Sequence, residues 1–132
     1  MNKFDTIFTY MERVEEMTLK VEMFIKRHTL YVRLDGELDQ HNVENIRVRI
    51  IELIDKYMIR YLVFNFKKLQ FMDSSGIGFI IGRYNRLKKS HGEVILCSMN
   101  ESIKRLVLLS GLGKICMIKQ DEEEVNDYIG VA

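Results

Sequence analysis

The sequence contains no proline, which excludes a rigid polyproline linker and a Pro-rich recognition segment. Cysteine is scarce: Cys97 and Cys116 sit inside apolar runs, at a separation that matches no paired-cysteine zinc motif. Both read as reduced core residues of a cytosolic protein. An excess of one charge sign is also lacking. A formal net charge of +1 gives no general reason to expect nucleic acid or an anionic membrane as partner. No apolar run approaches about 18 residues, so no spanning helix is expected. Charged residues interrupt any secretory-signal pattern near the N-terminus. Together these absences point to a cytoplasmic protein.

What is present suits one domain around one core: 132 residues, 47% of them hydrophobic. Residues 1–16 fit poorly with the rest of the chain. Glu12-Arg13-Val14-Glu15-Glu16 is what a purine-rich ribosome-binding sequence would encode if it were translated just ahead of a start codon at Met17. Residues 1–16 are therefore expected to be an extension, with the domain proper spanning 17–132. An ordinary extra helix or amphipathic tail is the alternative.

From Thr18 onward the pattern is regular. Leu19, Val21, Met23 and Ile25 alternate with polar residues, and after the short turn Arg27-His28 so do Leu30, Val32 and Leu34. This spacing predicts two half-buried strands joined as an antiparallel hairpin, the second stopping at Gly36. Val43, Ile46, Ile50, Leu53, Ile54 and Tyr57 fall on one helical face, with Asn42 as the expected cap. An apolar third strand at 61–66 and a loop at 67–71 come next, then a helix from Ser74 to about residue 90. A strand at 94–97, a helix at 102–109 ending at Gly111, a strand at 115–118 and an acidic helix from Asp121 complete the chain. The order β-β-α-β-α-β-α-β-α predicts an α/β fold. Its sheet is mostly parallel, with four to five strands, an N-terminal antiparallel hairpin and helices packed on it.

Loops leaving the C-terminal ends of parallel strands share one end of the sheet. Glu37 and Asp39 are therefore expected beside Asp73 and Ser74, where the stretch Phe71-Met72-Asp73-Ser74-Ser75-Gly76-Ile77-Gly78 opens a helix. At 100° per residue, Ile77, Ile80, Ile81, Tyr84 and Lys88 form the expected core face of that helix, with Leu87 at its edge. Ser75, Gly78, Phe79, Gly82 and Arg86 collect on the opposite side. Two glycines in a helix interior each cost about 1 kcal/mol relative to alanine. Either a neighbouring element of the same domain packs closely there, or the face receives a partner, with Phe79 as apolar anchor and Arg86 as polar anchor.

Enzyme motifs are missing. No Gly-x-Ser-x-Gly elbow is centred on Ser74 or Ser75. His28, His41 and His91 lack the context of a catalytic base. Gly111-Leu112-Gly113-Lys114 lacks the first glycine and the trailing hydroxyl of a phosphate loop. Glu37, Asp39 and Asp73 match no defined metal motif.

Gly36-Glu37-Leu38-Asp39 together with Phe71-Met72-Asp73-Ser74-Ser75-Gly76-Ile77-Gly78 resembles the STAS family. Gly82-Arg83-Tyr84, Lys104-Arg105-Leu106 and Ser110-Gly111-Leu112 resemble its sporulation anti-sigma factor antagonists. The resemblance covers roughly residues 17–132. It implies a non-enzymatic module, a monomer when free, with no cofactor of its own. Its unphosphorylated form would bind an anti-sigma factor that is also a serine kinase, freeing sigma factor F. That kinase, using the ATP it binds, would phosphorylate Ser74, and a PP2C-type phosphatase would reverse the step. Asp39 matches the family's acidic residue near the phosphosite. The partner-binding residues implied are Asp39, Asp73, Ser74, Ser75, Gly78, Phe79, Gly82 and Arg86. An antagonist in a general stress pathway, or a structural STAS module, are the alternatives.

Overall fold

Alternating side chains on residues 19–25 and 30–34 can bury one face only if the two segments lie side by side, and they do. In the computed structural model, which describes residues 10–130, β2 (Leu19–Lys26) and β3 (Thr29–Leu38) pair antiparallel from Leu19↔Gly36 to Lys26↔Thr29. Arg27 turns the chain in the left-handed region at φ 57°. The remaining elements are α1 (Val43–Tyr57), β4 (Tyr61–Met72), α2 (Ser74–Lys88), β5 (Glu93–Cys97), α3 (Glu101–Ser110), α4 (Leu112–Ile115), β6 (Met117–Lys119) and α5 (Glu122–Ile129). β3, β4, β5 and β6 are parallel neighbours.

The expected break at residue 17 is not where the sheet begins. Tyr10–Glu15 forms β1, an edge strand paired antiparallel with β2 from Tyr10↔Ile25 to Glu15↔Lys20. Tyr10 and Val14 pack against the core, while Glu12 pairs with Arg49 of α1. The second half of the expected extension is thus built into a six-stranded sheet of order β1-β2-β3-β4-β5-β6. Residues 1–9 of it lie outside the described residues.

Three further expectations are corrected. Gly36 does not stop its strand. At φ 118° it makes an irregular step that lets β3 continue alongside β4 to the pair Leu38↔Met72. A Cβ at Gly36 would lie 2.2 Å from the Thr18 carbonyl oxygen, and Glu37 N donates to that same oxygen at 2.9 Å. Residues 67–71 are not a loop but the second half of β4, paired with β3. Their polar side chains read as a loop because this stretch has an exposed face. The last strand is shorter and later than expected, because buried Leu112 draws residues 112–115 into a helical turn.

α1 to α4 cover one face of the sheet. There Ile46, Ile50 and Leu53 of α1, Ile80 and Leu87 of α2, and Ile103 and Val107 of α3 meet Leu30, Val32, Phe64 and Leu96. On the other face α5 sets Val125 over Phe24, Tyr31, Val63, Ile95 and Cys97. Beside this second cluster, Arg33 bridges Glu22 and Glu122, and Asn65 Nδ2 donates to Glu122 at 2.6 Å. Cys97 and Cys116 are buried and free, and burial pushes their thiols up to about 11 and about 12.

Candidate functional site

The parallel pairing of β3 with β4 puts the loops that leave their ends side by side. Asp73 joins them. One carboxylate oxygen accepts from Ser75 N at 2.9 Å and Gly76 N at 3.1 Å, capping α2. The other accepts from Gln40 N at 3.2 Å in the β3–α1 loop. Asp73 N in turn donates to Leu38 O at 3.3 Å. Asp39, one residue on, uses its carboxylate to accept from His41 N at 2.9 Å, and its carbonyl accepts from Val43 N at 3.0 Å. Asn42 occupies the residue before α1, but its side chain does not cap that helix. It accepts from Asp39 N and donates to Glu37 O at 2.8 Å, stitching the acidic loop into shape instead.

Ser74 is the first residue of α2 and is exposed. Among the described residues no hydrogen bond engages its hydroxyl. The start of a helix offers unpaired N–H groups and a partial positive charge, which favour an anion at this point. Asp39 and Asp73 nearby make the same surface acidic for anything approaching from outside. Gly76 lets α2 sit this close to the sheet: a Cβ there would come within 2.6 Å of Met72 Cγ and 3.0 Å of Leu38 O. Ser74 lines neither the concavity of about 980 Å³ on the α5 side of the sheet nor the smaller one beside Tyr84. Its surroundings are open surface.

Asp39, Asp73, Ser74 and Ser75 therefore share one end of the sheet, and Gly78, Gly82 and Arg86 continue along the outer side of α2. Among the described residues, a Cβ at Gly78 or Gly82 would meet no atom within 4 Å, so no described element packs closely there. Arg86 is not a free anchor, since its guanidinium pairs with Asp55 of α1. The outward placement of Phe79 is overturned. Its ring is 5% exposed and packs edge-on against Phe64, while Ile77, Ile81 and Tyr84 are only half-buried and Lys88 is exposed. The buried side of α2 is Gly76, Phe79, Ile80, Arg83 and Leu87, rotated by about one residue's turn from the expected face.

Two residues near this surface were not anticipated from the sequence. Phe71 is 47% exposed, two residues before Asp73; strict alternation from buried Leu69 would have turned it inward, and the irregular register of β4 turns it out instead. Arg83 is buried on the inner side of α2 over Phe79, and no sequence signal marks that burial.

The family model for the STAS domain matches residues 20–125. The chain is 42% identical over 106 residues to the anti-sigma F factor antagonist of Paenibacillus polymyxa, covering 80% of this chain and 91% of the relative. It is also similar to the solved structure of the anti-sigma factor antagonist SpoIIAA in its unphosphorylated form. That match has a TM-score of 0.72 and 32% identity, covering 93% of this chain and 99% of the other. A structure of the Bacillus cell fate determinant SpoIIAA in the phosphorylated form matches with a TM-score of 0.65 and 32% identity, over 90% and 99% of the two chains.

Proposed function

The chain belongs to the STAS family, and we propose that it is an anti-sigma factor antagonist switched by phosphorylation of Ser74. In this reading the unphosphorylated protein binds an anti-sigma factor that is also a serine kinase and so frees sigma factor F. The Ser74 hydroxyl attacks the γ-phosphorus of ATP held by that kinase, its proton passes to a base on the kinase, and ADP leaves. A PP2C-type phosphatase hydrolyses the ester and restores the active form. The protein itself contributes a substrate hydroxyl and a binding surface, not catalysis.

The observation that carries this reading is an exposed serine at the start of α2, its hydroxyl engaged by no hydrogen bond among the described residues, in a helix capped by Asp73 and beside the loop of Asp39. Phosphorylation adds about −1.5 to −2 charges. The helix start accepts that charge without loss of fold. A partner face already shaped to Asp39 and Asp73 does not. One added unit charge ~6 Å from another costs roughly 1 kcal/mol in water-like surroundings and ~3 kcal/mol at an effective dielectric near 20. With the lost hydroxyl contact and the bulk of the phosphate, binding weakens on the order of a hundredfold to a thousandfold. No large conformational change is required. The assignment to sigma factor F is supported by the 42% identity to an anti-sigma F factor antagonist.

The test is to incubate the protein with the kinase and ATP, map the phosphate by mass spectrometry, and titrate both forms against the anti-sigma factor. Phosphate on Ser74 and a loss of affinity of that order are expected, with Ser74→Ala unmodified yet still binding. Phosphate elsewhere, or equal binding by both forms, defeats the proposal. Release of a general stress sigma factor in place of sigma factor F would reassign the pathway and leave the switch intact.

A further inference from the structure

The net charge of +1 averages over the whole chain, but the fold gathers cations at one end of it. The turn 27–28 before β3, the loop 58–60 before β4 and the loop 89–92 before β5 meet at the N-terminal ends of the parallel strands. Arg60 N donates to His28 O at 2.7 Å, and Glu93 N donates to Arg60 O at 2.9 Å. Lys114, ahead of β6, lines the same shallow concavity as Gly92 and Glu93. Arg27, Lys56, Arg60, Lys88, Lys89 and Lys114 are all exposed at this end. No aspartate or glutamate occurs within 26–28, 56–60, 88–92 or 113–116.

Two further observations say what this end can meet. Among the described residues, none of the six cations forms an ion pair. The carboxylates next to them in sequence are occupied: Asp55 holds Arg86, and Glu93 accepts from the Tyr128 hydroxyl at 2.7 Å. Three of the cations lie over tyrosine rings instead, Lys56 over Tyr57 and Arg60 over Tyr61 at 5.6 Å from the centroid, and Lys88 over Tyr84 at 5.8 Å. A ring steadies a cation yet leaves its charge uncompensated. Met58, flanked by Lys56 and Arg60, is 75% exposed and turns at φ 51° where the chain leaves α1. A bare apolar side chain among cations suits the boundary between anionic headgroups and acyl chains. A nucleic acid would ask for free rings on which bases stack, and the rings of Tyr57, Tyr61 and Tyr84 are covered by cations.

We propose that this basic end docks the protein reversibly on an anionic lipid surface, with the cations among the headgroups and Met58 entering the interface. Ser74 then faces away from the surface. It follows the far end of β4, which runs from Tyr61 to Met72, roughly 36 Å by strand rise. Docking therefore leaves Ser74, Asp73 and Asp39 open to a partner, and the two surfaces can be occupied together.

Sedimentation of the full chain with phosphatidylcholine vesicles, with and without about one-third phosphatidylglycerol, tests this at low and high salt. At low salt, binding to the anionic vesicles is expected to exceed binding to the neutral ones by about tenfold or more. At about 1 M salt it should vanish, because screening shortens the reach of the charges. Each cation is worth about fivefold near such a surface, so Arg60→Glu/Lys89→Glu should bind at least about 20-fold more weakly. Lys67→Glu/Lys68→Glu changes the net charge equally in the far half of β4 and should stay within about twofold of wild type. All four residues are exposed, and thermal melts check that both variants fold. The chain has no tryptophan, so Met58→Trp places a single reporter whose emission should shift to shorter wavelength on anionic vesicles. No excess binding of the wild type to anionic vesicles at low salt overturns the proposal. So does an equal loss in the two double variants, or Met58→Trp emission that does not move. Binding to a DNA duplex in place of the vesicles overturns it as well and assigns the basic end to nucleic acid.

Discussion

The ring of Phe79 stands edge-on to that of Phe64, with centroids 5.7 Å apart and planes at 74°. Edge-to-face contact of this kind adds to the burial of both rings and locks the rotation of α2 on β4. Phe79→Ala should therefore destabilise the protein by about 3–5 kcal/mol, the usual cost of emptying a buried phenylalanine site. Urea unfolding checks this, and an unchanged midpoint would mean that the ring is not in the core.

The three glycines of α2 should respond with opposite signs. Gly76→Ala forces a methyl group against Met72 Cγ and Leu38 O and should cost about 1–3 kcal/mol as overpacking. Gly78→Ala and Gly82→Ala meet nothing, and each should stabilise the free protein by up to about 1 kcal/mol through helix propensity. Melting temperatures of the three variants decide the matter.

Asp73 holds both α2 and the neighbouring loop, so its loss should be felt on both sides. Asp73→Ala should cost about 0.5–2 kcal/mol as a lost cap. It should also speed amide exchange at Ser75 and Gly76, and at Gln40 across the gap between the loops. Faster exchange at Ser75 and Gly76 with Gln40 unaffected would show that the cross-loop bond contributes nothing.

Acid stability should depend on Glu122. Burial pushes its carboxyl upward, but hydrogen bonds from Arg33 and Asn65 and the charges of Arg33 and Lys26 outweigh this, leaving it below the ordinary value. With the folded pKa below the unfolded value of about 4.3, its contribution is complete above that pH and is lost as pH falls through the folded value. Glu122→Gln should cost about 1 kcal/mol at pH 7, the loss of charge-assisted hydrogen bonds discounted for the half-exposed Arg33. It should also flatten the fall in stability as pH drops below the unfolded value. Denaturant titrations across that range measure both effects.

The two thiols should be silent in the native protein. With Cys97 raised to about 11 and Cys116 to about 12, both by burial above all, thiolate is scarce at pH 8 and access is closed. Iodoacetamide should label neither at an appreciable rate until denaturant is added. Fast native labelling of either would mean that its cover opens readily.

The sequence by itself determined the features whose contacts lie within a few residues. These are the β2–β3 hairpin from its alternation, the apolar face of α1 from its period, the Gly111 stop of α3, and the placing of Ser74 at the start of a helix. Pairing, capping and periodicity are short-range, so the residues that cause them are read together. Tertiary structure alone decided which side of α2 faces inward, because Ile77, Phe79, Ile80, Ile81, Tyr84 and Leu87 form an apolar arc too wide to have one centre. The close approach at Gly76 to Leu38 and Met72, and the meeting of Phe79 with Phe64, selected it. The same distance in sequence hid the pairing of β1, the continuation of β4 through its polar residues and the burial of Arg83. Each depends on what lies across the sheet or the neighbouring helix, and no local pattern carries that information. The place of Ser74 at the start of α2 and the outward side of Gly78 and Gly82 were legible in the chain; the burial of Phe79 and Arg83 was decided by packing.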